Sequence, residues 1–242
     1  MEKQLGIVIP VYNEGENIKT TLQELEEKIK TPYSAYIVYD FEEDNTLPPA
    51  REFMKNRDSI KLEKNRYWRG ALNALKTGVE AVEEDIVLVS MADLSDDVAI
   101  VDEMVEKARA GCQVVCASRY MKGGKQFGGP WLKKQMSRIA GITLHYIVGI
   151  NTHDATNNFR MYSRKLLDEI EIESTGGFEF ALEVLVKAHI MGRKICEIPT
   201  VWRDRAAGES RFKLWQWLPK YFKWYMVAIS SAFNNLFKRQ NG

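Results

Sequence analysis

Short, unbroken apolar runs alternate with amphipathic helical stretches through the first half of the chain, and this alternation constrains the fold most. LGIVIP, from Leu5, is β-branched and has no polar alternation, as expected of a strand buried on both faces. The next segment places Ile18, Leu22, Leu25 and Ile29 on one helical stripe. AYIVYD then reads as strand, and PPAREFMKNR as a short helix with proline at its start. SIKLEK is a weaker strand, followed by a helix with Leu72, Leu75, Val79 and Val82 on one side. DIVLVSMAD is a further buried strand, DDVAIVDEMVEKARAG a helix closed by Gly111, and CQVVCASRY another strand. The pattern predicts an α/β fold with a mostly parallel sheet, which binds ligands at the carboxyl ends of its strands. Those ends are polar: Asn13 and Glu14, Asp40, Asp93, and Ser118 with Arg119.

The second half changes character. SRYMKGGKQFGGP is glycine-rich and basic and reads as a loop. WLKKQMSRIAGITLHYIVG reads as a long helix, and NNFRMYS, GFEFALEVLVKAHIMG and KICEIPTVW as strand, helix and strand. RDRAAGESRFK is a polar loop able to fold over a ligand. A division into residues 1–212 and an amphipathic, aromatic C-terminal helical extension, residues 213–242, is expected.

The 242 residues, 45% hydrophobic, suffice for a sizeable core, and a net charge of +1 provides no global field for nucleic acid. Cys112, Cys116 and Cys196 are odd in number, which is not a disulfide framework, and Cys112 and Cys116 in CQVVCAS read as buried thiols; a reducing cytoplasm fits. The opening segment lacks the pattern of a secretory signal, and no apolar run approaches the ~20 residues that span a bilayer. A cytoplasmic protein is expected, soluble or peripheral on the membrane face. His145, His153 and His189 lack metal-ligand spacing, and neither a Walker loop nor a dinucleotide fingerprint is present.

The acidic end of the strand at DIVLVSMAD is the main chemical signal. Asp93 is placed to bind a hard cation or to cap the next helix. Asp96 and Asp97 suit that helix's dipole, with Asp96 also a ligand candidate, and Ser95 can reach a metal or cap.

IVIPVYNEGENI resembles the opening of family 2 glycosyltransferases with the GT-A fold. NRYWRGALNALKTGV is similar to the family's N-x-G-x-G-x-A-x-x-x-G segment, and MADLSDD to its D-x-D. SRYMKGG, DATNNFRMYSR, GFEFALEVL and EIPTVWRDRAAGESRFK follow in the order of the polyprenol-phosphate mannosyltransferase branch. The resemblance implies a Rossmann-like, mostly parallel nucleotide-diphospho-sugar transferase domain and an inverting transfer. The sugar would pass from a nucleotide-sugar donor, GDP-mannose or a UDP-sugar, to a polyprenyl or dolichyl phosphate, with Mg²⁺ or Mn²⁺ as cofactor. It places Pro10, Tyr12, Asn13, Glu14, Asp40, Arg69 and Ala92 around the nucleotide, and Asp93, Ser95 and Asp96 around the cation. Arg119, Arg138 and Arg205 would carry catalytic charge, and Arg119, Arg138, Arg160, Ser210 and Arg211 would meet acceptor and phosphate.

Two departures stand out. Met91 occupies the position of the first aspartate of D-x-D, so metal binding is expected to be weaker or substrate-dependent. VYDFEEDNT replaces V-D-D-G-S-x-D-x-T, with Asp40, Asp44 and Thr46 retained and Tyr39, Phe41 and Glu42 new. The rival readings are transfer to a sugar hydroxyl in surface-polysaccharide synthesis, for which Asp154, Glu179 and Glu183 are the available bases, and a nucleotide-sugar-binding pseudoenzyme. In the tail, Leu214, Trp217, Leu218, Tyr221 and Tyr225 share a helical face flanked by lysines. That face suits a bilayer interface, the domain itself, or a second subunit in a homo-oligomer.

Overall fold

A computed structural model describes residues 4–204 and 214–240. Nine strands occur among them: β1 (Leu5–Pro10), β2 (Tyr33–Tyr39), β3 (Ile60–Lys64), β4 (Ile86–Val89), β5 (Val114–Ser118), β6 (Lys125–Phe127), β7 (Arg160–Ser163), β8 (Ile195–Pro199) and β9 (Val201–Arg203). The helices are α1 (Ile18–Lys28), α2 (Leu47–Met54), α3 (Ala71–Ala81), α4 (Val101–Arg109), α5 (Trp131–Thr143), α6 (Arg164–Glu169), α7 (Phe180–Ile190) and α8 (Leu214–Gln240).

Seven strands form one sheet in the order β3-β2-β1-β4-β7-β5-β8. All neighbours are parallel except β7, which runs antiparallel to both β4 and β5. Every residue of β1, β4 and β5 is buried, as unbroken apolar runs require when helices cover both faces. Ile18 and Leu22 of α1, Ala50 of α2 and Met104 of α4 pack into the core on one face. Leu72 and Leu75 of α3, Leu166 of α6, Leu185 of α7, and Trp224 and Ala228 of α8 fill the core on the other.

The structure departs from the sequence-based expectation at three places. The glycine-rich loop contains β6, which pairs in parallel with β9, and the expected last strand breaks at Thr200 into β8 and β9. Thr200 joins the two layers: its N–H donates to the Ser118 carbonyl and its own carbonyl accepts from the Lys125 N–H. The long helix ends at Thr143 and continues as one wider turn, Leu144–Val148, closed by Gly149 in the left-handed conformation (φ 84°).

The third departure concerns the cysteines. Cys112 and Cys196 form a disulfide, with Cα atoms 5.9 Å apart, and only Cys116 is a buried thiol. The reading of Cys112 as a thiol, and of the cysteines as forming no disulfide, is therefore corrected, while that of Cys116 agrees with the structure. The partners are 84 positions apart in the chain, but β5 and β8 pair in parallel with Val115 opposite Cys196, which brings Cys112 alongside.

The expected boundary after residue 212 lies outside the described residues. The helix beyond it is docked: Trp224 and Ala228 are buried, and the Tyr225 hydroxyl donates to Thr143 Oγ1 at 2.9 Å.

Candidate active site

The carboxyl ends of β1, β2, β4 and β5 open into a cavity of about 1130 Å³, walled on the far side by α5 and α8. The loop after β2 clamps the loop after β1. Both Asp44 carboxylate oxygens accept from the Asn13 N–H, at 3.0 and 3.1 Å. Thr46 Oγ1 accepts from the Glu14 N–H at 2.9 Å. Asn13 is held at φ 55°, a left-handed conformation that asparagine tolerates better than most residues. Asp44 and Thr46, the residues retained in VYDFEEDNT, act as this clamp; neither lines the cavity. Pro10, Tyr12 and Glu14 do.

Asp40 lines the cavity while tying three segments together. Its Oδ1 accepts from Asn65 Nδ2 at 2.7 Å, and its Oδ2 from the Gly70 N–H at 3.0 Å, just before α3. Next to it the Arg69 guanidinium lies 4.8 Å from the centroid of the Phe41 ring, which Tyr12 meets edge-on at 5.4 Å. Two of the three substitutions in the β2 turn, Phe41 and Tyr39, thus act differently. Phe41 supports Arg69, whereas Tyr39 is buried in the core with its hydroxyl on Glu42.

After β4, Leu94 adopts φ 59°, an uncommon conformation for leucine, and folds the chain back on itself. Asp93, Ser95 and Asp96 all line the cavity floor as a result, with Met91 beside them. Asp93 Oδ1 accepts from the Ser95 N–H at 3.1 Å. Burial, together with the adjacent Asp93 charge, pushes the Asp96 carboxyl up to about 8, against a smaller opposing pull from Arg119. Asp97 alone takes the helix-start role, accepting from the Ala99 N–H.

Arg119 lies behind this floor, where Asp154, itself fully buried, binds its Nε and Nη2. Nη2 also donates to Ser137 and Thr156. Burial would raise the Asp154 carboxyl, but the charge and hydrogen bonds of Arg119 outweigh it and hold it below the usual carboxylate range. Ser137 of α5 and Thr156 line the cavity, and the sequence reading had singled out neither.

Several expected site residues stand elsewhere. Arg160 is fully buried, donating from Nη1 to the Ala181 carbonyl (2.6 Å) and from Nη2 to the Asp154 carbonyl (3.0 Å); it braces the core behind Asp154 instead of meeting an acceptor. Ala92 is buried with its carbonyl accepting from the Thr21 hydroxyl, and neither it nor Asn13 lines the cavity. Arg138 is on the exposed side of α5, while Lys133 and Lys134 of that helix line the cavity. Of the carboxylates named as bases, Asp154 is committed to Arg119, and Glu183 accepts from the Glu173 and Ser174 N–H groups. Arg205, Ser210 and Arg211 lie outside the described residues.

The far wall is apolar. Ile139 of α5 and Leu218, Phe222 and Tyr225 of α8 line it, and Ile139 and Phe222 stay more than half exposed, at 60% and 58%. The aromatic face of the tail therefore meets the cavity. Its periodicity was legible, but its partner was not.

An oxygen-only donor set of Asp93, Asp96 and Ser95, in which the Asp93 charge adds to burial in raising the Asp96 carboxyl, fits a hard divalent cation. Among the described residues no three His, Cys, Asp or Glu side chains cluster, so the remaining ligands of such an ion would come from substrate oxygens or water.

The sheet order and the site at the strand ends define a GT-A-type α/β domain. Solved structures of glucosyl-3-phosphoglycerate synthase from Mycobacterium tuberculosis share this fold. Its complex with uridine diphosphate superposes with TM-score 0.68 at 16% identity, over 95% of this chain and 80% of that one. Its complex with Mn²⁺, uridine diphosphate and glucosyl-3-phosphoglycerate also scores 0.68, at 15% identity and the same coverage. Residues 6–171 match the model of glycosyl transferase family 2, and the chain belongs to that family. It is 26% identical over 215 residues to a dolichol-phosphate mannosyltransferase of Pyrococcus furiosus (87% of this chain, 59% of the relative). It is 25% identical over 217 residues to a polyprenol monophosphomannose synthase of Mycolicibacterium smegmatis (85% and 79%). An uncharacterized glycosyltransferase of Bacillus subtilis is 29% identical, with 64% of its length covered. The chain thus spans 59% and 64% of the first and third of these relatives.

Proposed function

We propose that the protein is an inverting glycosyltransferase that moves a sugar from a nucleoside-diphosphate donor to a polyprenyl phosphate at a membrane surface. One observation carries this reading: a single cavity joins the Asp93–Asp96 floor, through Arg119, to an apolar mouth between α5 and α8. A donor diphosphate suits the acidic floor only with a cation. An isoprenoid chain suits the mouth at Ile139, Leu218 and Phe222.

The nucleotide would lie against Tyr12, Asp40 and Arg69. Asp93 and Asp96, with Ser95 beside them, would hold the cation, which when bound supplies neutralisation of charge on the departing diphosphate. An acceptor phosphate oxygen attacks the anomeric carbon. The new carbon–oxygen bond forms as the bond to the diphosphate breaks, the electron pair leaves with the diphosphate, and the configuration inverts. A phosphate is already ionised near neutral pH, so no general base is needed. Arg119 spends Nε and Nη2 on the protein, which leaves Nη1 for the acceptor, with Lys133 and Lys134 adding positive charge on the same wall.

No helix among the described residues is long and apolar enough to cross a membrane. The exposed Trp131, Ile139 and Phe222 on α5 and α8 are the surface proposed to sit in the bilayer interface.

The test is an assay with Mn²⁺, a panel of GDP-, UDP-, CDP- and dTDP-sugars, and a short polyprenyl phosphate. A butanol-extractable, sugar-labelled lipid is expected with one donor class. Transfer only to a soluble sugar hydroxyl would sink the lipid acceptor. Donor binding without turnover on any acceptor would sink the enzyme reading.

A further inference from the structure

We propose that Gln126 and Trp202 form a subsite for a pyranose ring, the sugar being transferred, an assignment that rests on the donor reading above. The two residues are register partners in the small parallel sheet, Gln126 on β6 and Trp202 on β9. Side chains of paired residues leave a sheet on the same face, and their neighbours along each strand leave on the other. Gln126 and Trp202 accordingly line the cavity, both partly buried. The next pair, Phe127 and Arg203, is exposed and does not line it; there the guanidinium lies 4.9 Å from the ring centroid.

The amide of Gln126 is oriented. Its Oε1 accepts from the Tyr120 hydroxyl at 3.0 Å, and its Nε2 has no hydrogen-bond partner among the described residues. Gly129, also in the cavity wall, keeps this nitrogen and the indole uncovered. A Cβ on Gly129 would stand 3.4 Å from Gln126 Nε2 and 3.5 and 3.6 Å from Cζ3 and Cη2 of Trp202. An N–H donor and apolar ring carbons therefore border one point of the cavity wall, where a side chain would cover both.

Backbone contacts place the pair beside the cation floor. The Arg203 N–H donates to the Ser95 carbonyl at 3.0 Å, next to Trp202. In the sheet, β1 and β2, which carry the nucleotide residues Tyr12 and Asp40, lie on one side of β4. On its other side lies β8, which leads through Thr200 into β9. With the nucleotide on the first side and the diphosphate at the floor after β4, the sugar is the part of the donor that reaches the second.

The chemistry selects the group. An isoprenoid chain would cover the indole and leave the amide N–H unmet. An ionised phosphate would take the N–H but gain nothing from the ring carbons. It would also meet the Asp204 carboxylate, which lines the same wall and accepts from the Gly129 N–H at 3.2 Å. A pyranose uses both features: its C–H face lies on the indole, and a hydroxyl accepts from Nε2.

The variants are Gln126→Leu, which removes the N–H donor, and Trp202→Ala, which removes the ring. Phe127→Ala, on the outward face of the same two strands, is the control for damage to the small sheet. Calorimetry with Mn²⁺ would compare UDP, GDP, CDP and dTDP, then the glucose and mannose conjugates of whichever nucleotide binds, with folding of each variant checked by circular dichroism. Equal affinity for the bare nucleotide is expected in all four proteins, and equal affinity for the sugar conjugate in wild type and Phe127→Ala. The conjugate should bind about 3- to 10-fold more weakly to Gln126→Leu and about 10- to 100-fold more weakly to Trp202→Ala. Unchanged conjugate affinity in either variant, an equal loss for the bare nucleotide, or an equal loss in Phe127→Ala would overturn the subsite while leaving the donor reading intact. Failure of wild type to bind any nucleotide would overturn both.

Discussion

Asp154 grips Arg119 on two nitrogens: Oδ2 accepts from Nε at 2.7 Å and Oδ1 from Nη2 at 2.9 Å, with both partners away from bulk water. The grip turns a long, flexible cation into a fixed one and decides which part of its fork remains for a substrate. Asp154→Asn would leave a buried arginine short of its counter-charge, at a cost of about 3–5 kcal/mol. Urea denaturation should show that loss, and the KM for an anionic acceptor should rise more than kcat falls. A variant of wild-type stability would mean that Arg119 is held by Ser137 and Thr156 instead.

The same pair sets an acid limit. Because the folded-state carboxyl of Asp154 is depressed, the native chain binds fewer protons there than the unfolded chain does. Its contribution is present above the ordinary carboxylate value of about 4 and is lost as pH falls through the depressed one. Acid unfolding monitored by circular dichroism should be flatter below pH 4 in Asp154→Asn than in wild type. Superimposable acid limbs would place the lability elsewhere.

At the cavity floor, Asp93→Ala should lower cation-dependent turnover by about 10²- to 10³-fold, the order seen when a charge-stabilising group is removed. Met91→Asp adds an oxygen ligand where a thioether now stands, and Mn²⁺ titration in the presence of a nucleoside diphosphate should show tighter binding. Full activity of Asp93→Ala in EDTA would remove the cation from the reading.

The disulfide joins positions 84 apart in the chain, for which chain entropy allows up to about 4.6 kcal/mol. Cys112→Ser with Cys196→Ser, or reduction with dithiothreitol, should lower Tm by about 10 °C. No change in Tm on reduction would show that the bond does not constrain the unfolded chain in solution.

The apolar mouth makes a separate prediction. Ile139→Glu and Phe222→Glu remove exposed apolar surface, each about 1.5–3 kcal/mol of burial, and should release the protein from anionic vesicles in flotation. Equal flotation of wild type and variants would assign the patch to something other than lipid.

The order of strands and helices, the mostly parallel sheet and the position of the site were legible because buried strands and amphipathic helices have different periods, and because such sheets bind at their carboxyl ends. That Asp93 and Asp40 line the cavity follows for the same reason, since both are polar residues ending apolar runs. Arg160 was misassigned: whether a polar side chain faces a cavity or braces the core depends on contacts 21 residues away in the chain. The disulfide depended on a strand register, and the wall of α8 on where a docked helix comes to rest. Local pattern by itself determined which segments are buried and which strand ends are polar. Only the tertiary structure decided which charges meet, since burial and pairing are properties of the packed neighbourhood and not of the segment.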